Sequence, residues 1–484
     1  MNDFRSWRLF AICLIVFGIL AKFYGITDPW KRNDHYNFGG VWTTTYAECL
    51  KSTPLSVSKG VPHQSCWKPD PVYYRAHPPT ILFAMWGWTS LLGSAEWSYR
   101  LFVLFFSVMN IGWVFLIGRE TRAGPLFPYL AAALQAVFLG NMYFGTHLDF
   151  ISEFTVFFCL MTAWLALRGW LTAACFAGLA AGVSAWPGYI VFAPLWAYTW
   201  MIGRGRKRVF LFGCLGFALA LATMMWLHQT TDIVAFLREK LLSPGYVKKE
   251  EKGLLEPLRF LVNVVKSFAR LLSPVLAAFA VYELSRGRLK TLFTAWRSRW
   301  KGLSPVHHAT LLAGGTGLVY ALIGHEYFMV HVFLYLLLTP GLAFAGASFL
   351  DGLIRDGARV DSRAWLIVFA LLFASLYPYG IFKSNAVHDA ITSAVLALSA
   401  LALVFFVARG RLTARVAGIL VAFAAFGNFL QLANYRNEPD TERSFCEKAR
   451  EEFTRTGQPV HTTEPHSAAK DFLYCRGIPI EYAQ

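Results

Sequence analysis

Long apolar runs recur through this chain from residue 9 to residue 432, and no other feature constrains its fold as much. A helix needs about 20 mostly apolar residues to cross a bilayer. Repeated runs near that length require a polytopic helical membrane protein and exclude a soluble enzyme with one core. The sequence carries 15% charged residues, against roughly 25% in soluble domains. The net charge of +16 would suggest a nucleic-acid partner in a soluble protein. Here it reflects Lys and Arg gathered in loops on one side of a membrane, so no nucleic-acid partner is expected.

The first run, residues 9–24, follows Arg5 and Arg8 and is interrupted only by Lys22. No small-x-small cleavage pattern follows it, so it reads as an anchor with its N-terminus in the cytoplasm. Residues 80–93 are apolar but too short to span, and are read as an interfacial helix. The remaining spans are expected at 99–117, 126–144, 150–167, 171–186, 188–203, 209–227, 259–283, 306–323, 330–349, 364–380, 389–408 and 412–432. That gives an all-α fold of about 13 transmembrane helices. The loops then placed in the cytoplasm hold Arg119 and Arg122, Arg168, the Arg204–Arg208 cluster, six basic residues between Arg286 and Lys301, Arg355 to Arg363, and Arg409 to Arg415. The short loops opposite, near His147, Trp186 and Tyr327, hold no Lys or Arg, which is the positive-inside pattern. The expected organisation is a transmembrane domain over residues 1–432 and a small outer C-terminal region over 433–484. Within the domain, 28–98 form a first outer loop with interfacial helices, and 228–258 form a second outer loop.

Cys13, Cys159, Cys175 and Cys214 fall in spans and read as packing residues. Cys49 and Cys66 share the first outer loop, and Cys446 and Cys475 share the outer tail. Two pairs, each confined to one outer region, predict two disulfides in an oxidising compartment.

The sequence has no Walker loop, no Cys-x-x-Cys and no His-Glu-x-x-His. Gly314, Gly315 and Gly317 lie in an apolar run and predict close helix packing rather than a phosphate loop. His307 and His308 have no partner ligands at metal spacing. No cofactor is assigned, and a divalent cation stays open. Four polar clusters gather on the outer face. The first is Asp34-His35-Tyr36, just beyond span one; Asp34 fits either a site acid or the N-cap of a short amphipathic helix over 39–50. The second is Tyr73-Tyr74-Arg75-Ala76-His77-Pro78-Pro79. Two prolines suit the first turn of the helix that follows, but this does not account for Arg75 and His77. A cationic pair there suits an anionic headgroup such as a lipid phosphate. The third is Gly145-Thr146-His147-Leu148-Asp149 with Glu153, and the fourth Gly324-His325-Glu326-Tyr327 with His331. Ionisable residues at span ends also fit the headgroup layer, but no such clustering occurs on the other face.

An acidic residue after span one, then a basic residue, Pro-Pro and an aromatic-rich interfacial helix, resembles the GT-C membrane glycosyltransferases, especially the protein O-mannosyltransferases and lipid A aminoarabinose transferases. The stretch from Gly93 to Arg100 and Leu101 also resembles that family's entry into span two, and His325-Glu326-Tyr327 before Pro340 its late polar-aromatic motif. Many relatives carry Asp-Glu where this chain has Asp34-His35. The resemblance implies a sugar moved from a polyprenyl-phosphate-linked donor to an acceptor hydroxyl on a glycan, lipid or protein, by inverting displacement on the outer face. Asp34 would be the catalytic base. Arg75 and His77 would meet the donor phosphate, supported by His325, Arg238 and Lys240. His35, Tyr74, Asp149, Glu326 and Tyr327 would line the substrate site. The setting implied is a bacterial inner membrane with a periplasmic active site. Alternatives are a transporter or flippase of a lipid-linked anion and an O-antigen polymerase or ligase. A transporter should need a polar route at mid-membrane depth. The spans offer only scattered polar candidates, chiefly Lys266 and Arg270, and no pair of interrupted helices is read in them.

Overall fold

The computed structural model describes residues 4–27, 35–64, 66, 72–73, 75, 77–148, 152–229, 232, 273–285, 304–323, 336–356, 405, 412–436, 441–462 and 480–482. Helix α1 (Phe4–Phe23) is followed by a layer at one end of the bundle, here called the outer layer: α2 (His35–Ser52), α3 (Leu55–Ser58), the short strands β1 (His63–Gln64) and β2 (Val72–Tyr73), and α4 (Thr80–Leu92). The bundle continues with α5 (Glu96–Glu120), α6 (Phe127–Val137), α7 (Leu139–Phe144), α8 (Glu153–Leu167) and α9 (Leu171–Ser184). A 3-10 segment, Trp186–Val191, leads to α10 (Phe192–Ile202) and α11 (Arg206–His228). Then come α12 (Pro274–Ser285), α13 (Pro305–Ile323), α14 (Thr339–Asp356) and α15 (Ala414–Arg436). The tail contributes α16 (Thr441–Thr456), β3 (Val460–Thr462) and β4 (Ile480–Tyr482).

Among the described residues, five helices are long and apolar enough to cross a membrane: α1, α5, α11, α13 and the first 20 residues of α15. The expected spans at 364–380 and, apart from the helical Phe405, 389–408 lie outside the described residues, as does the first part of 259–283. Helix α1 shows how such a helix is placed. Ala11, Leu14, Gly18 and Ala21 are buried at helical spacing, while Leu9, Val16 and Leu20 point outward. Gly18 sits where a Cβ would fall 2.5 Å from the Ala136 carbonyl of α6. Helix α11 is peripheral: Phe210, Leu211 and Phe217 are exposed and only Val209, Gly216 and Leu227 are buried. An all-round apolar surface of this kind suits lipid.

Helices α13 and α14 meet through glycine. A Cβ on Gly314 would lie 2.9 Å from the Gly341 Cα, so larger residues would force the helices apart. This is the close packing expected of the Gly314–Gly317 stretch. Pro340 lies at the start of α14, where its missing N–H costs no helical bond. The i,i+4 ion pair Asp351–Arg355 carries α14 past the apolar run that set the expected end of that span.

Two features depart from the expected pattern. The expected span 126–144 is broken at Phe138, which adopts φ −59° and ψ 131° between α6 and α7. The carbonyls of Gln135 and Val137 at the break are taken up by the Asn141 and Asn428 amides, at 2.7 and 2.8 Å, and Thr339 donates to Asn141 at 3.2 Å. The fold also contains strand: β1 and β2 pair antiparallel, and β3 and β4 pair parallel. These strands of two or three residues are too short to show alternating hydrophobicity.

Among the described residues, the basic side chains of several loops gather at one end of the bundle. Arg168 pairs with Glu120 at 3.0 Å, Arg208 donates to Thr172 at 2.8 Å, and Arg8 lies 4.7 Å over the Tyr129 ring. Gly169 abuts Arg204, and Gly124 abuts the Asp351–Arg355 pair. At the other end, Trp226 of α11 donates to the Lys59 carbonyl at 3.0 Å, tying α11 to the outer layer.

Candidate functional site

The outer layer is fixed first by a disulfide between Cys49 of α2 and Cys66, with a Cα–Cα distance of 5.2 Å. The Cys66 N–H also points at the Cys49 sulfur, 3.2 Å away. Next to the bridge, β1 and β2 pair His63 with Tyr73 and Gln64 with Val72. The His63 ring is held by Thr53 at 2.9 Å. The chain leaves β2 through Arg75 and His77 into α4. Arg75 is exposed, His77 is half-buried, and Pro78 and Pro79 are buried. Pro79 is the N-cap of α4, one position before the first turn proper. The turn therefore presents a guanidinium and an imidazole where the chain meets the apolar helix.

Beneath that turn, one apolar cluster joins Tyr46, Ala47 and Leu50 of α2, Ile81, Leu82 and Met85 of α4, and Tyr99, Phe102 and Val103 of α5. The tail joins the same cluster through Cys446, Ala449 and Val460. Cys446 is itself disulfide-bonded. The Tyr99 hydroxyl donates to Glu48, and Trp88 donates to the Ser98 carbonyl at 2.9 Å. Glu48, which has no neighbouring motif in the sequence, is thus an acceptor that fixes α2 to the start of α5.

Deeper, a polar network joins the outer ends of α1, α7 and α8 to the middle of α5. Lys22 Nζ donates to Ser107 Oγ at 2.5 Å, and Ser107 donates to Glu153 Oε1 at 3.0 Å. Asn110 donates to Glu153 Oε2 at 2.6 Å and to the Glu153 carbonyl at 2.9 Å. Lys22 is fully buried and Glu153 is 1% exposed. Glu153 opens α8 behind an N-cap, Ser152, whose hydroxyl accepts from the Phe154 N–H. Arg100, also buried, donates to the Thr146 carbonyl at 3.3 Å. The His147 ring stacks on Tyr143 at 3.9 Å between centroids and also bonds the Tyr143 carbonyl.

Of the four clusters expected from sequence, the structure describes parts of the first, second and third. It places Arg75 and His77 together at the entry to α4, and brings Thr146, His147 and Glu153 into one buried neighbourhood with Lys22 and Arg100. Asp34, Tyr74, Asp149, Arg238, Lys240, His325, Glu326, Tyr327 and Cys475 lie outside the described residues. His35 is the first residue of α2. Among the described residues, no group of three or more His, Cys, Asp or Glu is arranged to hold a metal ion. Sequence reading missed Ser107 and Asn110, named Arg100 only within the motif that resembles the entry into span two, and noted Lys22 only as an interruption of an apolar run. A charge or amide inside such a run was the available signal.

The fold has counterparts among solved structures. It is similar to the crystal structure of ArnT from Cupriavidus metallidurans bound to undecaprenyl phosphate, with a TM-score of 0.56 and 16% identity over 98% of this chain and 85% of that one. The apo form of the same ArnT is similar at a TM-score of 0.51 and 18% identity, with the same coverage. No protein-family model and no curated protein sequence matches the chain.

Proposed function

We propose that this protein moves a sugar from a polyprenyl-phosphate donor to an acceptor hydroxyl at the outer face of a membrane. The observation that carries the reading is the fold match along 98% of the chain to an ArnT structure holding undecaprenyl phosphate. The arrangement of Arg75 and His77 supports it: two nitrogen-bearing side chains stand at the entry to the apolar helix α4. Charge-assisted bonds to phosphate are among the strong ones.

The chemistry needs few groups. Phosphate leaves readily once its charge is met, so the second carboxylic acid of a glycosidase is not required. Arg75 and His77, with His325, Arg238 and Lys240, meet that charge. Asp34 withdraws the acceptor proton while the oxygen attacks the anomeric carbon from the opposite face, inverting it. A positioned base contributes about 10²–10⁴-fold. Asp34 immediately precedes α2, whose start returns the chain to the outer layer. His35, Tyr74, Asp149, Glu326 and Tyr327 hold acceptor and sugar. A divalent cation, if used, would fall to Asp34 and Asp149, and no step here depends on it. The Cys446–Cys475 bridge, the outer tail over 433–484 and the periplasmic orientation belong to the same reading. The interruption at Phe138 does not favour a transporter. Both carbonyls named there accept from buried amides.

The test is transfer of label from a defined polyprenyl-phosphate sugar by the purified full chain. Arg75→Ala and His77→Ala should each raise the KM for donor about tenfold, the scale of one lost charge-assisted bond, and leave the KM for acceptor unchanged. No transfer by the wild type across a panel of such donors refutes the proposal. Unchanged donor dependence in both variants removes the pair from the site.

A further inference from the structure

We infer that Lys22, Ser107 and Glu153 form a buried bridge whose task is to hold the two flanks of the α7–α8 turn, 145–148 and 152–155, in one register. The link to catalysis rests on the function proposed above, because Asp149 lies in that turn's sequence.

Opposite charges in the interior of a helical bundle are costly, and paired apolar residues of the same shape serve stability as well or better. The bridge is therefore poorly explained as a stabiliser. What it supplies is register. The lysine comes from the end of α1, the serine from the middle of α5 and the carboxylate from the first position of α8. Each is tied to its neighbour by a hydrogen bond of 2.5 or 3.0 Å. Asn110 grips the glutamate by both its side chain and its carbonyl, which fixes the rotamer as well as the helix start.

The near end of the turn is held by the same groups. A Cβ on Gly145 would lie 2.8 Å from Ser107 Oγ and 3.0 Å from Lys22 Cδ, so glycine leaves the passage the lysine stem occupies. One residue on, Arg100 holds the Thr146 carbonyl. Both approaches to the turn are thus pinned to α5, and Lys22 reaches the junction from the side. Lys22 and Glu153 are positioning residues: they act through the turn and need not touch substrate.

The test uses the full chain in nanodiscs and compares wild type with Lys22→Met/Glu153→Gln, which removes both charges and keeps the shapes. Hydrogen exchange is read at 145–148 and 152–155, together with the melting temperature and the kinetics of sugar transfer. The inference predicts a melting temperature near that of wild type, with exchange in these two stretches faster by about tenfold or more. It also predicts a fall in kcat of about tenfold or more with donor KM unchanged, the signature of a misplaced group rather than lost binding. Ser107→Ala, which keeps both charges and removes the bridge, should show the same local pattern and decides the matter if the double variant does not fold. Unchanged exchange at both stretches overturns the inference. So does a fall in melting temperature with exchange rising evenly along the chain, the mark of a merely structural pair. The exchange readout uses no substrate. A wild type without transfer activity therefore refutes the proposed function while the bridge still stands or falls on exchange.

Discussion

The two ends of the bundle use oppositely charged residues in different ways. At the basic end the Arg168–Glu120 pair is open to solvent, with side chains 44% and 24% exposed, and Arg168 lies 5.5 Å over both Trp164 and Trp170. Aromatic rings and arginines near helix ends commonly anchor membrane helices at the lipid–water boundary. At the other end Lys22 and Glu153 face inward, with a serine between them and no water-exposed surface to speak of. An exposed pair is held in place by the surface it sits on. A buried pair stands against the cost of desolvation, and its geometry is worth more than its energy. The bundle is anchored at one end and set precisely at the other, where the candidate site lies.

The sharpest way to break this contrast is to remove one buried partner alone. Glu153→Ala leaves the Lys22 ammonium without its carboxylate, and stability should fall by about 3–5 kcal/mol. Thermal unfolding in detergent checks this, and a small shift would mean that the pair is not desolvated as described. Next in size is the outer layer's disulfide. Cys49→Ser should cost about 2–4 kcal/mol, confined to the layer of α2, β1 and β2. Limited proteolysis should show cleavage within 52–73 while the bundle stays intact. The smallest effect belongs to the basic end. Arg168→Ala should change stability by about 0–1 kcal/mol and leave transfer kinetics untouched. A loss there as large as that at Glu153 would erase the distinction between the two ends.

The sequence made much of the anchoring end legible and little of the precise end. Basic loops and apolar runs are local patterns, and α1, α5, α11, α13 and α15 follow them closely. The short run 80–93 is legible as a helix too short to span because length alone decides it, and α4 covers Thr80–Leu92. The Lys22 network is different in kind. Lys22 and Ser107 are 85 residues apart, and Ser107 and Glu153 are 46 apart. Each member is unremarkable in its own run, and only packing makes them neighbours. The break at Phe138 has the same origin. No proline stands there, and one of its capping amides, Asn428, comes from 291 residues away. The outer-face clusters were legible as clusters, because polar residues next to apolar runs stand out. Their partners were not, since hydrogen bonds such as Tyr99 to Glu48 depend on how α2 lies on α5.

The proposed role of Asp34 as the base is what makes the outer end an active site, and its conservative amide variant tests this most directly. Asp34→Asn preserves size and removes the proton acceptor. With a defined polyprenyl-phosphate sugar, turnover should fall by about 10²-fold or more, while donor binding and melting temperature stay at wild-type values. Near-wild-type turnover in Asp34→Asn, alongside an inactive Asp149→Asn, would contradict the assignment and move the catalytic role to Asp149.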